Sequence, residues 1–211
     1  MTRGSPRGTG FIAVAGSIGA GKSSLIRFLQ DRFGIHPFYE RIDDNPFLDD
    51  FYRDMPAFAF PAQMWFLARK FKAHREIAQL DRPAVLDRTI HEDAEVFAAH
   101  LAERGLFPRR EYDTYLALYR TIREALPPPD LLIYLKSSVR TQRRRIALRG
   151  RASEGGIDPA YLRGLNRLYR AWIGRWRLSP VLVLDADRLD FVADLAHQAD
   201  VLSTLRRHLA R

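Results

Sequence analysis

The stretch that most constrains this chain begins at Gly16. An apolar run, Phe11-Ile12-Ala13-Val14-Ala15, leads into Gly16-Ser17-Ile18-Gly19-Ala20-Gly21-Lys22-Ser23-Ser24, and helix-like sequence follows. A buried strand, a turn with GxxxxGKS spacing and a helix opening at the Lys-Ser pair together specify a phosphate-binding loop. Glycines at 16, 19 and 21 let backbone N–H groups turn inward around an anion, and the helix aims the positive end of its dipole at the same point. Lys22 is then placed to reach the β- and γ-phosphates of a triphosphate, and the Ser23 hydroxyl to hold Mg²⁺. Chance is a poor source for that lysine, because the chain has thirty arginines and only four lysines.

Four further short apolar runs read as strands, at His36–Glu40, Ala84–Asp87, Leu131–Leu135 and Val181–Leu184. Apolar residues recur at three- and four-residue spacing over Ala62–Leu80, His91–Arg104, Glu111–Leu126, Val139–Leu148, Pro159–Trp176 and Phe191–Leu209, which predicts helices there. Strands alternating with helices imply an α/β fold, with a five-stranded parallel sheet covered on both faces. Ligands of such sheets sit at the carboxyl ends of the strands, where the phosphate loop also lies. The expected organisation is a flexible tail over 1–9 and a single domain over 10–211, with a lid at about 145–157.

At 211 residues with 46% hydrophobic content the chain suits one core domain. No apolar run approaches the roughly 20 residues of a membrane span, so no membrane partner is expected. The absence of cysteine excludes a disulfide framework or a thiolate metal site and fits a cytoplasmic location. A net charge of +9 favours anionic partners. Zinc-finger spacing, an aromatic RNA-binding strand and an unbroken basic tail are all missing, so nucleic acid is not an expected partner.

Glu40 closes the predicted second strand and projects toward the phosphate loop, where a carboxylate can take a proton from a hydroxyl acceptor. Taken alone, such a glutamate is equally a solvated or capping residue. Asp87-Arg88-Thr89 closes the third strand. Asp87 stands where a carboxylate holds Mg²⁺, and Arg88 can bridge Glu40 and a transferring phosphoryl group; a surface Asp-Arg pair is the alternative. Arg145 and Arg149 share a helical face, Gly150 ends that helix and Arg151 follows, so three guanidiniums can converge on a triphosphate. A solvated basic helix is the other reading of this cluster.

With these residues in place the chain resembles the deoxynucleoside kinases, in particular the bacterial deoxyadenosine and deoxyguanosine kinases. The resemblance runs from about Gly10 to near the C-terminus. It is carried by the phosphate loop, Asp43-Asp44-Asn45-Pro46-Phe47-Leu48 leading to Phe51-Tyr52, Gln63 with Phe66 and Lys70, Asp87-Arg88-Thr89 through Asp93 to Phe97, and Arg145 to Arg151 with Glu154. It implies a P-loop kinase fold with an Arg-rich lid, and transfer of a phosphoryl group from ATP, with Mg²⁺, to the 5′-hydroxyl of a purine deoxynucleoside in nucleoside salvage. Residues Gly16, Ser17, Ile18, Gly19, Ala20, Gly21, Lys22, Ser23 and Ser24, with Arg145, Arg149 and Arg151, would bind ATP. Glu40 would be the base, with Arg88 and Lys22 completing the catalytic set. Tyr52 and Glu154 would hold the sugar 3′-hydroxyl, and Gln63, Lys70, Asp93 and Phe97 the nucleobase. Ile18, Ile42, Leu48 and Phe51 would wall the pocket, and Ser23 and Asp87 would hold the metal. The resemblance also implies a homodimer through the 91–104 and 111–126 helices.

The chain departs from the family pattern in three places. Arg41 and Ile42 follow Glu40 where a proline is usual, position 70 is lysine where relatives often carry arginine, and Phe58 stands where tryptophan is common. Two other readings share the phosphate loop. A thymidylate-type nucleoside monophosphate kinase needs an arginine beside the acidic residue after strand two, usually just before it, where this chain has Tyr39. A P-loop ATPase switch that binds nucleic acid or protein has no evident use for Tyr52, Gln63, Asp93 and Glu154.

Overall fold

The computed structural model describes residues 10–151, 156–188 and Ser203. Five strands, β1 (Phe11–Ala15), β2 (His36–Phe38), β3 (Ala84–Asp87), β4 (Leu131–Lys136) and β5 (Val181–Asp185), form one sheet in the order β2-β3-β1-β4-β5. Every pairing is parallel. Around it lie α1 (Lys22–Phe33), α2 (Leu48–Arg53), α3 (Met55–Ile77), α4 (Ile90–Glu92), a π-helical segment (Asp93–Ala98), α5 (Ala99–Glu103), α6 (Arg109–Glu124), α7 (Val139–Arg149) and α8 (Pro159–Arg175). The expected helix over Phe191–Leu209 and the expected tail over 1–9 lie outside the described residues.

Alternation along β1 sorts the two faces of the sheet. Ile12 and Val14 join Leu25, Ile26 and Leu29 of α1 in one core, while Ala13 and Ala15 join Leu165, Tyr169 and Trp172 of α8 in another. The alanines leave room for the large aromatic rings of α8, including Tyr169 stacked on Tyr134 of β4 with centroids 5.7 Å apart. A third core, with Ala62 and Leu67 of α3, Leu101 of α5 and Tyr115 of α6, builds a helical layer beside the sheet. The register sets Val14 against Asp87, so β1 and β3 end level, and the Arg88 N–H donates to the Val14 carbonyl at 3.1 Å. The turns leaving these two strands therefore face each other across the site.

Most element ends shift by one to three residues from the sequence expectation, and three differences bear on the site. Strand β2 stops at Phe38, paired with Leu86, and Glu40 lies in the coil beyond it rather than at the strand's end. Helix α3 starts at Met55, seven residues before the predicted Ala62. Asp54 caps it by accepting from the Ala57 N–H, and Pro56 is accommodated in the first turn, where prolines need no partner. Pro61 lies inside the helix despite the bond it cannot make. The predicted helix over His91–Arg104 is interrupted by the π segment, which widens the helix where Asp93 and Phe97 face the cleft. Such single-turn widenings have no signature in apolar periodicity.

His74 of α3 is buried edge-on against Phe11, and neither ring nitrogen has a hydrogen-bond partner. Burial, with His91 and Lys70 nearby, pushes its pKa down from 6.5 to about 3; burial and Arg123 push His91 down to about 4. Because the folded values are depressed, the unfolded chain takes protons first as pH falls. The stability these rings provide is complete above about pH 6.5 and is lost toward pH 4, at roughly 1.4 kcal/mol per pH unit for each. His74→Phe is expected to make the fall in urea-unfolding free energy between pH 6 and 4.5 shallower by about that slope. An unchanged slope would contradict a neutral His74.

Candidate active site

The phosphate loop closes between Ala15 and Lys22. Gly16, Gly19 and Gly21 all have positive φ, and the Ala20 N–H bonds the Ser17 carbonyl at 3.1 Å. Lys22 opens α1, and its ammonium donates to the Gly16 and Ser17 carbonyls at 2.9 and 3.2 Å. Burial and then Arg88 pull its pKa down to about 8 against the carboxylates Asp87, Glu92 and Glu40. Ser23 and Ser24 sit exposed in the first turn of α1, Ile18 lines the cleft, and the Ser17 hydroxyl is buried without a partner. Ser23 Oγ donates to Asp87 Oδ2 at 3.3 Å, while Asp87 Oδ1 is buried with no hydrogen bond. A bare carboxylate oxygen beside a hydroxyl suits a hard cation that takes its other ligands from phosphates and water. Among the described residues, no group of three or more His, Cys, Asp and Glu could hold a metal alone.

Opposite the loop, the Glu40 carboxylate is enclosed by two cations. Lys70 Nζ lies 2.5 Å from Oε1, and Arg88 Nη1 donates to Oε2. Burial raises the Glu40 pKa, but Arg88, Lys70 and Lys22 outweigh it and hold the group at about 2. Lys70 Nζ also lies 3.6 Å from Asp93 Oδ2. Burial drives Asp93 up to about 6 against that attraction, and Lys70, which burial alone would lower, is raised by Asp93 and Glu40. Arg88 has a φ of 65°, in the left-handed region, and its guanidinium lies 4.5 Å over the Phe97 ring.

Gln63, Phe66, Asp93 and Phe97 line the same cleft with Tyr52, Ile42, Leu48 and Phe51, whereas Lys70 contacts Glu40 but lines a neighbouring pocket instead of this cleft. Gln63 Oε1 is buried and unpartnered, available to a ligand's donor. Arg149 and Arg151 border the cleft from the end of α7, and Arg151 reaches to 3.6 Å from Asp43. Arg145 is placed differently from the expected convergence. Its Nη1 donates to the Ala20 carbonyl at 2.7 Å and its Nη2 to the Ala186 carbonyl at 3.0 Å, which fastens α7 onto the phosphate loop. Glu154 lies outside the described residues.

Sequence reasoning missed Glu92 and Tyr161. Tyr161 of α8 lines the cleft. Glu92 is fully buried and accepts from the Gly16 N–H of the phosphate loop at 3.1 Å and from the Tyr169 hydroxyl; Arg88 Nε stands 3.4 Å away. A signal existed in the spacing, since Thr89-x-x-Glu92 is a capping box and Thr89 does accept from the Glu92 N–H. That pattern marks a surface carboxylate, however, and here the side chain turns inward. The Arg88–Glu92 spacing of four residues was the better clue.

Gly19 lets the loop touch α7. A Cβ there would stand 2.6 Å from the Gln142 carbonyl oxygen, at a φ of +74°. Gly19→Ala is expected to weaken ATP affinity at least about tenfold, by spreading loop and helix apart. Gly174→Ala, where nothing lies within 4 Å of an added Cβ, should leave affinity unchanged; calorimetric titration of both variants checks the contrast.

Comparison with known proteins agrees with this geometry. The sequence profile of the deoxynucleoside kinases matches residues 12–210. The chain is 38% identical over 203 residues to a deoxyguanosine kinase of Lactobacillus johnsonii, covering 92% of this chain and 90% of that one. It is 35% identical over 185 residues to a deoxyadenosine/deoxycytidine kinase of Bacillus subtilis, covering 87% and 85%. A solved deoxyadenosine kinase of M. mycoides, with dCMP and a flexible dCDP bound as products, superposes with a TM-score of 0.83 at 28% identity, covering 93% of this chain and 99% of that one. The loop, the buried carboxylate opposite it and the profile spanning nearly the whole chain converge, and this protein belongs to the deoxynucleoside kinase family.

Proposed function

We propose that this kinase transfers the γ-phosphoryl group of ATP to the 5′-hydroxyl of a deoxynucleoside with a purine base. The observation that carries the acceptor reading is Glu40, a buried carboxylate clasped by Arg88 and Lys70 directly across from the phosphate loop. A phosphorylated acceptor would need free cations at that place. Tyr39, the residue before Glu40, is exposed, and Arg41 is exposed with its guanidinium 3.7 Å from Asp44. Both observations favour a neutral alcohol over a nucleoside monophosphate.

Lys22 and the loop N–H groups hold the donor phosphates, while Ser23 and Asp87 would hold Mg²⁺, which would supply neutralisation of the phosphate charge. Glu40 accepts the proton of the 5′-hydroxyl. Arg88 aligns Glu40 and, with Arg149 and Arg151, offsets charge that builds on the transferring group. Arg145 keeps the lid helix seated on the loop. Tyr52 and Glu154 bind the 3′-hydroxyl, Phe97 stacks on the base, and Gln63, Asp93 and Lys70 read its polar edge. Relatives named deoxyguanosine kinase and deoxyadenosine kinase support a purine, although the Bacillus subtilis relative is named for deoxycytidine as well as deoxyadenosine. A homodimer is supported by α6, where only Tyr115 and Tyr119 are buried and Leu118 is exposed. Among the described residues no helix is long and apolar enough to cross a membrane, and a chain without cysteine suits the cytoplasm, where ATP and salvaged nucleosides meet.

Glu40→Gln tests the reading. It keeps the shape of the side chain and removes the proton acceptor, so turnover is expected to fall about a hundredfold or more while nucleoside affinity changes little. Two buried cations each lose one of their carboxylate partners, so the variant should also unfold at lower temperature, and the rates are compared where both proteins are folded. Near-normal turnover would remove Glu40 as the base.

A further inference from the structure

Three elements meet at one oxygen of Glu92. The Gly16 N–H of the phosphate loop, the Tyr169 hydroxyl of α8 and Arg88 Nε all address Oε1, whereas Oε2 is buried with no partner. A carboxylate keeps half its charge on each oxygen, and a bare anionic oxygen in the interior is costly to desolvate. Protonation at Oε2 replaces that charge with a less costly neutral hydroxyl, keeps the Gly16 and Tyr169 hydrogen bonds at Oε1 and weakens the ion pair with Arg88. The site is therefore built to hold Glu92 in either charge state without rearranging.

The neighbours set the balance. Arg88 from the β3–α4 turn and Lys22 from α1 favour the anion, as do the Tyr169 hydroxyl and the Gly16 N–H; Tyr134 of β4 faces the same space. Burial opposes them and carries the group up to about 7. Nucleotide phosphates seated in the loop would lie just across the Gly16 peptide from this carboxylate. Their charge repels an anionic Glu92, and they compete for Lys22, one of the two cations that stabilise it.

We propose that Glu92 is a positioning residue that ties the phosphate loop to Arg88 and takes up a proton when a nucleotide's phosphates fill that loop. Uptake removes like-charge repulsion beneath the donor and frees Arg88 from one of its two carboxylate partners, leaving its guanidinium to Glu40 and the phosphoryl group. Donor arrival is in this way coupled to the residue that aligns the acceptor. The inference rests on the donor part of the function proposed above and is independent of which base is bound.

The test is titration of the wild-type protein and Glu92→Gln with the Mg²⁺ complex of a non-hydrolysable ATP analogue at pH 7, in buffers of different ionisation enthalpy. The wild type is expected to take up about half a proton more than the variant, since a group near 7 is half-protonated at the start. Lys22, held at about 8, also gains protons as phosphates arrive, so infrared difference spectra locate the proton. The carbonyl stretch of a protonated carboxyl group should grow on binding in the wild type and not in Glu92→Gln. Tyr169→Phe is a second probe that keeps the ring and removes one donor to Oε1; it should move the pH of maximal uptake upward. Binding with equal uptake and no carboxyl band difference overturns the assignment of Glu92 alone. Failure of the analogue to bind the wild type overturns the donor reading and this inference with it.

Discussion

The site is organised around the guanidinium of Arg88. Its backbone sits at a φ of 65°, a conformation that costs a non-glycine residue of order 1–3 kcal/mol. What holds it there is a set of contacts no other residue type supplies together. The planar fork meets Glu40 on one side and Glu92 on the other, lies over the Phe97 ring, and its own N–H is tied to Val14 of the central strand. Each partner comes from a different element, so Arg88 fixes the Glu40 carboxylate, the phosphate loop and the π segment relative to one another. Lysine would keep the charge and lose the simultaneous grip.

Around Arg88 the chain buries Lys22, Glu40, Lys70, Asp87, Glu92 and Asp93. A hydrophobic replacement of similar volume would serve stability as well or better, so this concentration of charge marks function. The carboxylates separate by environment. Glu40, clasped by two cations, is held far below the usual range, while Glu92 and Asp93 are pushed above it by burial. Groups of one chemical type are thereby given different tasks. Lys70 belongs to both sets, since it contacts Glu40 and lies near Asp93. Its single ammonium is shared between the proposed base and the proposed base-reading pocket, which makes this lysine the place where recognition and chemistry touch.

Much of this was legible in the sequence. The glycine spacing, the alternation of strands and helices and the Asp87-Arg88 pair led to the sheet, the loop and the cleft, because each reflects a local rule that tertiary packing does not override. Other features were not legible, for identifiable reasons. Glu92 wears the pattern of a surface cap, and only the fold turns it inward. Arg145 shares a helical face with Arg149, but the carbonyls of Ala20 and Ala186 come within its reach only once β5 and the loop are assembled. The π segment adds no residue type of its own, and the early start of α3 was hidden by two prolines that the helix tolerates.

The most direct measurement is ATP-dependent label transfer by the purified protein with Mg²⁺ to each of the four deoxynucleosides, to thymidine monophosphate and to no acceptor. Labelled 5′-monophosphate from deoxyadenosine or deoxyguanosine, with little from the nucleotide, is the expected result. ADP formed only with the monophosphate, or formed equally without any acceptor, would contradict a kinase built around Glu40 and a neutral hydroxyl.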